Sequence, residues 1–283
     1  MKKILVCLDG SAYADNICKN AAWVAKQLDA SVELLHVLRR SSDYAAPGHD
    51  HTGSIGLGAR SDLLNSLSKL DEERARLDME KGRMILQHGE DVLKAEGVTH
   101  VTRQHRRGSL VETLKSMEQD AEMIFIGKRG EHADQSSEFL GANLEKTARA
   151  VEKPLFVVSA DVRPIKRFLI AYDGKQSAQK ALDYVATSPL LQGVDAHIIS
   201  VGTDNSIALD TAEQKLRDRG FSVSAKRLDA ADPDTAITEY VRSNDIDLLV
   251  TGAYSHSRMR SLLLGSTTAT LIKSCKVPLL LFR

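Results

Sequence analysis

The chain has 283 residues, 42% of them hydrophobic and 27% charged, with 38 basic and 38 acidic side chains and a formal net charge of zero. That length accommodates two ordinary domains, and the composition is that of a soluble globular protein. The balance of charge excludes the basic footprint of a nucleic-acid or membrane-surface binder, and no apolar run reaches the ~20 residues that span a bilayer.

The opening Met1-Lys-Lys-Ile-Leu-Val-Cys7-Leu-Asp9 imitates a basic leader, but Asp9 ends its apolar run too early for a signal peptide. Lys3 to Leu8 reads as a short buried strand closed by Asp9-Gly10-Ser11. From Ala12 to about Leu28, Ile17, Ala21, Val24, Ala25 and Leu28 recur at helical spacing, with Ser11 as the expected N-cap. Ser31 to Leu38 is the next strand, which completes a βαβ unit with parallel strands. Cys7, Cys18 and Cys275 are scattered and form no metal or redox pair, which points to a reducing cytoplasm; Cys7 and Cys275 read as inert core thiols.

The second half repeats these landmarks in order. Asp173-Gly174 follows the strand Arg167 to Tyr172 as Asp9-Gly10 follows the first, and a helix through Ala181, Leu182 and Val185 leads to the strand Ala196 to Val201. Glu122 to Gly127 matches Asp247 to Gly252, and Lys153-Pro154 to Val158 matches Val277-Pro278 to Phe282. Three landmarks in one order make a duplication, with units at 1–160 and 164–283. The first unit carries an insertion of about forty residues within 41–97: a polar loop from Ser41 to Ser61, then a long helix over Leu64 to Ala95. That helix holds Leu67, Leu70, Leu77, Met84, Leu86 and Leu93, and its faces alternate in charge as a solvated helix should. The second unit has a short helix there, about Ile207 to Arg219. Third strands follow at about His100 to His105 and Ser222 to Leu228, with helices after Gly108-Ser109 and after Asp232-Pro233, where Asp232 is the expected cap. The fold class is therefore α/β: two tandem, doubly wound, five-stranded parallel-sheet domains.

Such sheets bind ligands at the carboxyl ends of the strands, where strand order reverses. The stretch Leu248 to Thr268 fits that place in the second unit. It runs from an apolar strand through Gly252 into a polar loop with Arg258 and Arg260, then to Gly265-Ser266-Thr267-Thr268 and a helix. A glycine-broken loop entering a helix with hydroxyls in its first turn is suited to phosphate, because free N–H groups and the helix dipole face the anion. It is not a Walker A loop, and an ordinary strand-to-helix connection with a Ser/Thr cap is the bland alternative.

A Gly-x-x-Gly, a nine-residue spacer and a Gly-Ser/Thr after the fourth strand, with Asp-Gly-Ser after the first, resembles the universal stress protein family, and the resemblance covers both halves. It implies a Rossmann-like, adenine nucleotide alpha hydrolase-like fold and, in the ATP-binding branch, a triphosphate held in the glycine loop. Carried over residue by residue, it implies an ATP site at Tyr172, Asp173, Val201, Gly252, Ser255, Arg258, Gly265, Ser266 and Thr267, with magnesium as a possible companion. Ser255 stands where the family has its second glycine. The corresponding first-unit positions Asp9, Val37, Gly127, Gly130 and Gly141 are read as a degenerate site. The spacer there is one residue longer, Ala142-Asn143 replaces the hydroxyls, and Glu131, Asp134 and Glu138 would repel phosphate, which Lys128 and Arg129 offset in part. The resemblance also implies an internal pseudo-dimer that sets Leu155–Val158 against Leu279–Phe282, and leaves a homodimer open.

The remaining candidates read as structural. His49 and His51 have metal-like spacing but no evident third ligand, so solvated loop histidines are expected and no metal is assigned. Arg106-Arg107, His36 and Lys175 read as ordinary surface or packed side chains. No nucleophile with a paired base and no metal–carboxylate set for phosphoryl transfer is evident, so binding without dedicated turnover is expected. A slow ATPase and a nucleotide-free scaffold with another ligand in the first unit remain open.

Overall fold

The computed structural model describes residues 2–38, 57–129, 142–160, 163–202, 206–253 and 266–283. The elements in chain order are β1 (Lys2–Cys7), α1 (Ala14–Leu28), β2 (Ala30–Leu38), α2 (Leu57–Ala95), β3 (Val101–Arg107), α3 (Leu110–Met117), β4 (Met123–Gly127), α4 (Ala142–Ala150) and β5 (Leu155–Val158). The second series is β6 (Arg167–Ala171), α5 (Gln176–Thr187), β7 (Asp195–Val201), α6 (Ser206–Arg217), β8 (Val223–Leu228), α7 (Pro233–Ser243), β9 (Leu248–Gly252), α8 (Ser266–Ser274) and β10 (Leu279–Phe282). Both series alternate strand and helix, as the apolar runs and helical spacings require.

The ten strands form one sheet, ordered β3-β2-β1-β4-β5-β10-β9-β6-β7-β8. Each half is a parallel five-stranded sheet. The halves meet where β5 and β10 run antiparallel, with Leu279 opposite Val157, Leu280 opposite Phe156 and Leu281 opposite Leu155. These two strands are buried on both faces, which explains their unbroken apolar sequences. The outer strands β3 and β8 are partly exposed and carry Arg103, Arg106, Arg107, Lys226 and Arg227, charges that discourage edge-to-edge pairing.

Alternate residues of the sheet feed two helical layers. Phe156, Val158, Leu280 and Phe282 pack on the side of α1, α2, α5 and α6, and Phe125 stacks on Phe156 with ring centroids 4.7 Å apart. Leu155, Val157, Leu279 and Leu281 pack on the side of α3, α4, α7 and α8. Two cations cross the junction reciprocally. Lys128 Nζ donates to Cys275 O at the end of α8 (2.6 Å), and Arg283 Nη1 donates to Ala150 O at the end of α4 (3.2 Å). Each meets the negative end of a helix belonging to the other half.

Several local expectations change. Ser11 does not cap α1. Its N–H is taken by Asp9 Oδ1 (3.1 Å), its carbonyl accepts from Ala14, and the helix starts after Tyr13. Asp232 precedes α7 with Pro233 in the first turn, but its carboxylate receives the Thr235 hydroxyl instead of a backbone N–H. Ser109 does cap α3, through Glu112 N–H at 3.4 Å. Of the polar loop expected over Ser41 to Ser61, residues 41–56 lie outside the described residues, and Leu57 onward is already helix. All three cysteines are free and buried.

Candidate functional site at the carboxyl edge of the sheet

Strand order reverses between β1 and β4 in the first half and between β6 and β9 in the second. These are the two switch points where helices leave to opposite faces and a crevice opens.

In the second half, Tyr172 follows the end of β6, and its N–H donates to Ile199 O (2.9 Å). The Tyr172 ring is buried, and its hydroxyl donates to Gln179 Oε1 at 2.7 Å. Burial, followed by the Asp183 and Asp173 carboxylates, raises its pKa. Tyr172 is thereby fixed as a packing anchor under the turn. Asp173 follows, with Oδ1 accepting the Lys175 N–H (3.0 Å) and Oδ2 3.2 Å from Lys175 Nζ. Gly174 at φ +72° supplies the left-handed residue this turn needs. Lys175, expected to be a plain helix-start lysine, therefore neighbours the very carboxylate assigned to the site. Val201 is half-buried at the end of β7. Beyond it Gly202 donates to Leu228 O (3.0 Å) and accepts from Arg227 Nε (3.1 Å).

Gly252 closes β9, one strand over. A Cβ there would lie 2.3 Å from Ser177 Oγ and 3.0 Å from the Ala178 nitrogen, so the first turn of α5 rests directly on this glycine. Its φ is ordinary; close approach, not conformation, demands glycine here. Thr268, in the first turn of α8, is buried and donates to Gly252 O (3.2 Å). This hydroxyl ties the start of α8 to the end of β9 and leaves Thr267 half-exposed beside it. Ser266 is the first residue of α8, while Ser255, Arg258 and Gly265 lie outside the described residues. The structure thus brings Asp173, Gly252 and the start of α8 to one switch point. It adds Ser177 as a support that the sequence reading left out, and it turns Thr268, read as one of the hydroxyls of the helix's first turn, to Gly252. The signal for Ser177 was a small hydroxyl residue shortly after the Asp173 turn, able to tolerate a backbone pressed against it.

The first half is built differently. Asp9 caps its own turn and Gly10 has φ +74°, but a Cβ on Gly10 would lie 2.8 Å from Ile85 Cδ1 of α2. Lys81 of the same helix reaches to 3.9 Å of that point. The inserted helix is thus seated on this turn. Val37 lies in register with Arg106 of β3 and is half-buried. Gly127 has looser neighbours, 3.2 Å to Ile17 Cδ1 and to Arg129 O. Gly130, Gly141, Glu131, Asp134 and Glu138 fall outside the described residues. Lys128 does not serve this loop as expected; it is buried and committed to Cys275 O. His36 is buried, its Nδ1–H donating to Leu8 O (2.7 Å), and its ring lies 5.3 Å from that of His105. Burial, then the His36 and Arg107 charges, lowers the His105 pKa.

Burial pulls the Lys128 ammonium down to about 8 from 10.5. The unfolded chain therefore holds this proton to higher pH than the folded one, and wild-type stability should rise between about pH 8 and 10.5 on this account. Lys128→Met has no such gain. Its stability relative to wild type is expected to fall by roughly 1–3 kcal/mol from about pH 7 to about pH 9.5. Urea unfolding of both proteins at the two pH values checks this, and a constant difference would refute it.

Among the described residues no group of three or more His, Cys, Asp or Glu is placed to hold a metal, and His49 and His51 lie outside them. A groove of about 670 Å³ along Asp210, Thr211, Gln214, Lys215, Asp218 and Arg219 follows the far end of α6, toward the amino edge of the sheet, and is unconnected with the switch point. No helix among the described residues is long and apolar enough to cross a membrane.

Comparison with known proteins agrees with this geometry. The model of the universal stress protein family matches residues 1–159 and 204–283. The second match begins beyond Asp173 and Val201, after the β6–α5–β7 unit, whose strands keep the same order as β1 and β2 of the first half. The chain is 38% identical over 288 residues to universal stress protein Slr1230 of Synechocystis, with both proteins covered in full. A universal stress protein from Archaeoglobus fulgidus has the same fold, with a TM-score of 0.72 at 20% identity over 99% of this chain and 98% of that one. A protein described as functionally unknown from Pseudomonas aeruginosa superposes with a TM-score of 0.62 at 16% identity, covering 100% and 92%. With the family model spanning most of the sequence and a relative aligned end to end, the chain belongs to the universal stress protein family.

Proposed function

We propose that the chain is an ATP-binding regulatory protein of the cytoplasm, built as tandem units 1–160 and 164–283, with the nucleotide held by the second unit. The observation that carries this reading is the adjacency of β6 and β9, which sets the Asp173 turn beside Gly252 and the first turn of α8. Asp173 would meet the nucleoside side together with Val201. The α8 amides, with Ser266, Thr267 and the loop residues Ser255, Arg258 and Gly265, would meet the phosphates. Magnesium would accompany the triphosphate. Ile85 pressed on Gly10 argues against an equivalent occupant in the first unit. The antiparallel β5–β10 contact takes the role of a dimer interface inside one chain, an internal pseudo-dimer.

The test is the nucleotide released from purified protein on denaturation, followed by calorimetry with ATP and magnesium. Close to one ATP per chain supports the reading. Ser266→Ala with Thr267→Ala is expected to weaken ATP binding by roughly tenfold to a hundredfold, the loss of two hydrogen bonds to a charged group. Thr268 must be left intact, because it anchors Gly252. No bound nucleotide and no heat at millimolar ATP would overturn the proposal, and turnover well above stoichiometric binding would recast the protein as an ATPase.

A further inference from the structure

The inserted helix α2 carries two apolar faces. Gly82, Leu86, Gly89 and Leu93 are buried, at the spacing of one helical face, and join the helix to the sheet. A Cβ on Gly82 would fall 2.5 Å from the His105 ring, and one on Gly89 2.5 Å from Leu8 Cδ1, so this face is pressed close. Leu70, Leu77 and Met84 fall at intervals of seven, about 150° away round the helix. They are 60%, 70% and 65% exposed, and Leu67, one turn before Leu70, is 48% exposed. Met79 is exposed too, but stands on the sheet-facing side. From residue 66 to residue 81 every side chain but the half-buried Ala75 is exposed, so this part of the helix runs clear of the core. A helix face pointing to water gains nothing from a strict row of large apolar residues.

The charges beside this row indicate what covers it. Arg74 and Lys81 lie along one flank, and Glu73 and Glu80 along the other. Two copies of the helix packed side by side in parallel, about a two-fold axis along their length, set the acidic flank of each against the basic flank of the other. Antiparallel packing would set like against like. The sheet lies on the far side of α2 from the row, so the two bodies stand outside the helical pair and do not collide. From Leu67 to Met84 the row runs along about 26 Å of helix.

We propose that α2 is a self-association surface, through which a second copy of this chain packs in parallel along Leu67, Leu70, Leu77 and Met84. The inserted helix then gives the chain an intermolecular interface on a different face from the β5–β10 junction.

Sedimentation velocity of the full chain over a range of concentrations tests this. A concentration-dependent dimer is expected, and Leu70→Lys with Leu77→Lys should raise its dissociation constant by roughly a hundredfold or more. Both substitutions are on exposed side chains, so the circular dichroism spectrum and unfolding midpoint should be retained. A wild-type monomer, or a dimer indifferent to the double substitution, overturns the proposal. Orientation is read by oxidising Leu70→Cys and Met84→Cys separately, the native thiols being buried. Parallel helices cross-link at both positions. Cross-linking at no more than one of them refutes the parallel arrangement.

Discussion

Phe156→Ala is expected to lower the stability of the whole chain by about 3–5 kcal/mol. Phe156 is fully buried on β5, stacked on Phe125, and paired in register with Leu280 across the antiparallel β5–β10 contact. Truncation opens a cavity where neither neighbour can collapse, because both sit on strands held from each side. The loss should fall on both halves in one cooperative transition, since this strand pair is their common centre. Chemical denaturation followed by far-ultraviolet circular dichroism measures it. Phe156→Leu, which keeps most of the volume, should cost under about 1.5 kcal/mol. A loss below about 1 kcal/mol for the alanine variant would mean that the two halves are packed loosely against each other.

Gly252→Val should cost about 1–3 kcal/mol and weaken ATP binding at least roughly tenfold. The added carbons would occupy the position of the Ser177 hydroxyl, 2.3 Å from the new Cβ, and push away the first turn of α5. That turn continues directly from Asp173-Gly174-Lys175, so the strain passes to the carboxylate proposed for the nucleoside. The matched control is Gly127→Ala in the first half, where the nearest atoms are 3.2 Å away and include the flexible end of Ile17. It should cost under about 1 kcal/mol and leave ATP binding unchanged. Calorimetric titration of both variants separates these outcomes. Equal loss of affinity in the two would show that the site does not belong to the second half alone.

The architecture was legible because its signals were redundant. The unbroken runs at Leu155–Val158 and Leu279–Phe282 called for strands covered on both faces, and the repeated Asp-Gly and strand-end glycines fixed the duplication. What escaped was information held between elements. Lys128 looked like a loop cation beside Gly127, and nothing local indicates that it crosses to the carbonyl of Cys275. Ser11 has the side chain of a cap, yet Asp9 claims the turn first. The leucines of α2 read in sequence as one helical pattern, but the seven-residue subset and the sheet-facing subset stand on opposite faces. A single periodicity cannot distinguish one broad face from two narrow ones until the helix has a sheet to lean on. At the site, Asp173 and Gly252 were legible as motif residues. The roles of Ser177 and Thr268 were not, because they depend on which backbone atoms come within reach.

The reciprocal contacts of Lys128 and Arg283 bear on how the two halves came to differ. In an assembly of identical subunits, any change at the symmetric seam occurs twice, and a residue that suits one side is imposed on the other. Here the two helix ends at the seam are met by a lysine that follows β4 and by an arginine that follows β10, which are not equivalent positions. Once both sides are encoded separately, each can take its own substitutions while the seam stays shut. One half is then at liberty to acquire a long helix over its first turn without the other half losing its own crevice.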